Sequence, residues 1–125
     1  MKKLQPLFYL GISIAFMSCL HSGNNVSLSY ANSRHSYSMK AKFNESKTRN
    51  VEEYLDRRIG NKTNMSFVNT RIDGTIALND ESSFYIRKSP GELTIKLDKD
   101  ANSEEAYERI KAMCEGIKSV ITNVE

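Results

Sequence analysis

Apolar residues alternate from Tyr37 to Phe43, with Tyr37, Met39, Ala41 and Phe43 separated by Ser38, Lys40 and Lys42; this is the period of a strand with one buried face. The period then lengthens. Val51, Tyr54, Leu55 and Ile59 form a helical stripe, with Asn50-Val51-Glu52-Glu53 as a capping box at its start and Gly60 at its end. From Met65 to Asp98 the period is two again. Breaks at Asp73-Gly74, at Asn79-Asp80-Glu81-Ser82 and at Ser89-Pro90-Gly91-Glu92 divide this stretch into four strands. A two-residue turn at Pro90-Gly91 pairs Ile86 with Ile95 and Phe84 with Leu97, which keeps one face apolar. At Asp73-Gly74 a two-residue turn would pair Arg71 with Ile76, so a three-residue bulged loop pairing Thr70 with Ile76 and Val68 with Leu78 is expected instead. Asn102-Ser103-Glu104-Glu105 caps a last, long helix, whose stripe is Ala106, Ile110, Met113, Ile117, Val120 and Val124, widened by Tyr107, Cys114 and Ile121.

These elements give an α+β domain over residues 36–125 in the order β-α-β-β-β-β-α: a five-stranded antiparallel sheet, strand one beside strand five, with both helices on one face. The order resembles TBP-like and helix-grip folds, in which a curved sheet cradles a terminal helix. No signature residues accompany the resemblance, so no activity comes with it.

Ahead of the domain, Lys2-Lys3 and the apolar run Leu7–Met17 have the build of a signal peptide over residues 1–18. At ~1.5 Å per residue the run spans about half of a ~30 Å hydrocarbon core, too little for a permanent span. Phe16-Met17-Ser18-Cys19 resembles a bacterial lipobox, in which the cysteine becomes the lipid-bearing first residue of the mature chain. Phe16 and Met17 are bulkier than that pattern usually has. The resemblance implies palmitate-type acylation of Cys19 and attachment to the inner or outer membrane of a cell envelope, facing the periplasm. Residues 19–35, rich in Ser and Asn, read as the lipidated cysteine and a flexible tether.

Charge narrows the field. The chain has 18 basic and 15 acidic residues; removal of Lys2 and Lys3 with the leader leaves 16 against 15, almost neutral, with no basic stripe of the kind nucleic-acid binding needs. Cys114 would be the one thiol left after lipidation, so no internal disulfide is expected. Its place on the apolar side of the last helix, with His21 and His35 both in the tether, marks it as a buried thiol rather than a nucleophile. Asp98-Lys99-Asp100-Ala101-Asn102 opens like a calcium loop, but Ser103 and Arg109 stand where that loop needs Gly and Glu. It reads as acid ahead of a helix N-terminus. No metal, cofactor or catalytic constellation is expected, and the chain is read as a non-enzyme.

One surface remains. Phe67, Ala77 and Tyr85 are expected on the outward sheet face among Arg71, Arg87, Thr94 and Lys96, apolar area beside fixed cations that suits a protein partner or an anionic ligand. The expected function is that of a lipid-anchored accessory module binding another envelope protein through this face. The alternative is a carrier enclosing a lipid or small hydrophobe between the long helix and the sheet, which needs a pocket of about 300 Å³ or more.

Overall fold

The structure is a computed structural model that describes the backbone of residues 18–22 and the whole of residues 26–122. Strands β1 (Ser18–Ser22), β2 (Val26–Asn32) and β3 (Ser36–Lys42) precede helix α1 (Thr48–Ile59). Strands β4 (Ile72–Ala77), β5 (Ser83–Ser89) and β6 (Glu92–Asp98) precede helix α2 (Glu104–Thr122). All strands join one antiparallel sheet in the order β1-β2-β3-β6-β5-β4. Both helices contribute to a single core on one face of that sheet. The α+β class, the antiparallel sheet and the long C-terminal helix are as the sequence predicts. So is the docking of the Tyr37 strand beside the last one, where Met39 faces Ile95 and Tyr37 faces Leu97.

The β5–β6 hairpin has the expected register, with Ile86 opposite Ile95 and a two-residue turn at Pro90-Gly91. Gly91 sits at φ 78, in the left-handed region, and an added Cβ would lie 3.0 Å from the Phe43 carbonyl, so the turn requires glycine. Met39, Leu93 and Ile95 are wholly buried against Leu55, Met113 and Ile117, as the alternation requires.

Three local expectations are corrected. Residues 26–32, assigned to the tether, form β2: Val26 and Leu28 are buried in the core, and Ser27 and Ser29 fill the polar phase. Serine in that phase hid the alternation behind a loop-like composition. His35 likewise belongs to the β2–β3 connection, where it meets Asp100 at 2.8 Å.

Residues 65–71 make no strand, and no hairpin turns at Asp73-Gly74. Those two residues lie inside β4, facing Arg87 and Ile86. The Asp56 carboxylate accepts from the Phe67 amide at 2.8 Å and pins a loop there, and Asn69 at φ 60 cannot continue an extended chain. Phe67 is fully buried, not on the outward face, while Val68 is half-buried: the phase is the reverse of that expected.

Helix α1 begins at Thr48, two residues before Asn50. Its first turn follows a 3₁₀ turn (Glu45–Lys47) capped by Asn44, whose side chain accepts from the Ser46 amide at 2.9 Å. At α2 the cap is Ser103 rather than the Asn102 that the capping pattern implied, Ser103 Oγ accepting from the Ala106 amide at 3.0 Å. Asn102 instead bridges to β5, accepting from the Ser83 amide and donating to its carbonyl.

The chain also repeats itself. Among the described residues each half runs three strands and an α-helix, and the same displacement that carries Ser36 to Glu92 carries Thr48 to Glu104. Hydrogen bonds repeat too: the Phe43 amide donates to the Gly91 carbonyl, and at the equivalent positions Lys99 donates to His35, both at 2.9 Å. An approximate twofold axis therefore passes between β3 and β6. Among the described residues no helix is long and apolar enough to cross a membrane. The expected leader lies outside the described residues apart from Ser18, and the side chain of Cys19 lies outside them too.

Candidate binding surface

Among the described residues no helix covers the second face of the sheet, and its residues can be read off in rows from the register. One row runs Ser29, Lys40, Thr94, Arg87 and Asp73; the next runs Ala31, Ser38, Lys96, Tyr85 and Thr75. Of the residues expected on this surface, Tyr85, Arg87, Thr94 and Lys96 lie together here, and Ala77 is exposed at the end of β4. Phe67 is absent because it is in the core. Arg71 is exposed, but it precedes β4 and belongs to a neighbouring cleft.

The face is ordered by its own contacts. Tyr85 Oη donates to Asp73 at 2.6 Å, Arg87 lies 4.0 Å from the same carboxylate, and the Lys96 ammonium sits 5.8 Å from the centre of the Tyr85 ring. The hydrogen bond to Asp73 raises the Tyr85 phenol above its ordinary pKa, with a smaller contribution from burial, so it remains a donor at neutral pH. Lys40 and Lys42, which alternation alone places beside these residues, have no ion-pair partner among the described residues. Glu92 faces Lys42 across the strands. Beyond the Asp73 cluster, the face offers an aromatic ring, the ammonium groups of Lys40, Lys42 and Lys96 and the Glu92 carboxylate over a serine and threonine background.

A second polar feature went unread in the sequence. Beside the start of α1 is a cleft of about 440 Å³ lined by residues of α1, of the 3₁₀ turn before it, of the loop before β4 and of β5. At its floor Lys88 donates to Glu52 Oε2 at 2.7 Å and also to the Thr70 carbonyl, and the Asn69 amide donates to Glu52 Oε1 at 3.1 Å. The two side chains are 2% and 7% exposed. The signal was present: Lys88 falls on the apolar phase set by Phe84 and Ile86, a place where an unpaired lysine is not tolerated.

Cys114 is buried as expected, and burial foremost raises its thiol well above the ordinary value, which leaves it unreactive in the folded protein. The Asp98–Asn102 segment is engaged within the protein: Asp98 accepts from the Asp100 amide at 2.9 Å, and Lys99 donates to Asn32 and Ser33 at 2.7 Å each. Among the described residues no group of three or more acidic, His or Cys side chains is arranged to hold a metal.

No family model matches the chain, and neither a curated protein nor a solved structure is significantly similar to it.

Proposed function

We propose that the chain is a small lipoprotein of the bacterial cell envelope, anchored to a membrane by acylation of Cys19, and that it acts as a non-catalytic binding module for another envelope protein. The observation that carries the reading is the open sheet face, where the Lys96 ammonium sits 5.8 Å from the centre of the Tyr85 ring and Lys40 stands in the neighbouring row, opposite Thr94. Such a surface suits an acidic patch on the partner, with Tyr85 as the aromatic contact and the lysines governing the rate of encounter. Backbone register adds support. Cys19 pairs with Ser29, so the acylated residue stands at the edge of the row that continues through Lys40, Thr94 and Arg87. A lipid there holds this face close to the membrane, within reach of a partner anchored in the same bilayer.

Two measurements test the reading separately. Metabolic labelling with palmitate should mark the wild type and leave Cys19→Ala unlabelled; equal absence of label in both removes the anchor. A photo-crosslinker at Ser38 on the open face should trap one envelope protein, and Tyr85→Ala combined with Lys40→Ala should abolish the adduct without changing the thermal midpoint. An undiminished adduct removes the face. The carrier reading gains no support beside α2. The space there, bounded by Ile59, Leu78, Ile110 and Met113, holds about 70 Å³, against roughly 300 Å³ for a ligand pocket.

A further inference from the structure

The cleft over the Lys88–Glu52 pair lies apart from the open face and presents hydrogen-bond donors in excess. Both Glu52 oxygens are occupied, one by Lys88 and one by the Asn69 amide, so the buried carboxylate has its principal partners inside the protein. The donors are not all occupied. Lys88 has three N–H groups and engages Glu52 and Thr70 with two. Arg71, exposed on the wall, forms no hydrogen bond or ion pair within the described residues. Arg49 uses only its Nε, toward Glu53 at 3.2 Å, leaving the two terminal nitrogens of its guanidinium. Thr48 Oγ1 accepts from the Gly91 amide and retains its own proton. The one carboxylate on the wall without a partner is Glu45, at the rim.

Burying a lysine and a glutamate here adds little to stability compared with a hydrophobic pair of the same size. What the pair does provide is a fixed floor: it ties α1, the loop at Asn69 and β5 together beneath the cleft, with Asn69 held in the left-handed region. A polar floor already fixed by its own hydrogen bonds, with Arg49 and Arg71 on the same cleft, lowers the cost of ordering the site when a ligand enters.

We infer that this cleft binds a small polyhydroxylated carboxylate, a sugar acid in chemical class. Arg71 and Arg49 take the carboxylate through paired N–H donors, the geometry in which guanidinium groups exceed lysine. Ser46, Thr48 and Glu45 take the hydroxyls. The volume of about 440 Å³ accommodates one such ring.

The test is a titration of the full chain, isotope-labelled and in detergent, followed by amide NMR, with glucuronate as probe and glucose as the ring lacking the carboxylate. Glucuronate should shift Ser46, Asn69, Thr70 and Arg71 saturably, with half-saturation on the order of 1 mM, and glucose should not. Arg71→Ala, an exposed change that leaves the fold intact, should weaken binding about tenfold or more. Arg87→Ala, in the adjoining cleft that Arg71 also borders, should leave it unchanged. Equal response to both sugars overturns anion recognition. No saturable shift, or loss of binding in Arg87→Ala but not in Arg71→Ala, overturns the site.

Discussion

Replacing Lys88 with methionine removes one charge from a pair whose side chains are only 2% and 7% exposed. At 2.7 Å and an effective dielectric of about 20, the gross attraction between the two ions is about 6 kcal/mol, and dehydrating each ion costs several kcal/mol, so the intact pair is close to neutral. The broken pair is not. In Lys88→Met the Glu52 carboxylate stays buried with only the Asn69 amide for company, a situation that costs about 3–5 kcal/mol, a large share of the roughly 5–15 kcal/mol that holds a domain folded. Glu52→Gln alone should cost a similar amount, because it keeps an acceptor for Asn69 but strands the ammonium. The double variant Lys88→Met with Glu52→Gln removes both charges and should recover most of the loss. Urea unfolding followed by circular dichroism measures all four proteins. The reasoning fails if Lys88→Met falls within about 1 kcal/mol of wild type, or if the double variant is no more stable than the worse single one.

Three further outcomes follow from buried contacts. A Cβ at Gly116 would lie 2.1 Å from Tyr54 Oη, which donates to the Met113 carbonyl at 2.8 Å; Gly116→Ala should therefore destabilise by about 1–3 kcal/mol despite better helix propensity, and Tyr54→Phe should relieve it, as thermal melts of both will report. Cys114 should react with a thiol-specific reagent only in denaturant, and stoichiometric modification of the native protein would contradict its burial. Burial, then Cys114 and Glu115, push the Tyr30 phenol up to about 12, above its unfolded value near 10; its contribution to stability is thus full below pH about 10 and lost as pH rises through about 12, which the difference absorbance titration of wild type against Tyr30→Phe should show.

Where burial was one-sided and alternation strict, as from Tyr37 to Phe43 and from Phe84 to Leu97, pattern alone placed the strands, their register and their neighbours. It failed where polar atoms had partners distant in sequence. Nothing local says that Asp56 will hold the Phe67 amide, yet that bond turns Phe67 inward and removes a strand; nothing local says that Glu52 will meet Lys88, 36 positions away. The outward residues of β5 and β6 were legible for the same reason as the core, since a strand's second face is fixed once its first is known. The cleft was not, because two of its walls are a turn and a loop, elements with no period to read.

The internal repeat lets the two ends of the sheet be compared side chain by side chain. The approximate twofold relates the start of α1 to the start of α2, and the β5–β6 turn to the β2–β3 turn, as the matched Phe43–Gly91 and Lys99–His35 hydrogen bonds require. At the position equivalent to Val51 the second half has Tyr107, whose ring lies 4.4 Å from the Lys99 ammonium and whose hydroxyl accepts from Asn32 at 3.0 Å. Lys99 also donates to Asn32 and Ser33, so at this end bulk and hydrogen bonds tie the ring to the β2–β3 turn. At the second end, then, Tyr107 and Lys99 stand where the first end has Val51 and Phe43. Trimming Tyr107 to valine and Lys99 to alanine should open a second polar hollow beside α2, visible as new solvent-exchange at the Asn32 and Ser33 amides. Unchanged exchange there would mean that the backbone itself, and not the side chains, distinguishes the two ends.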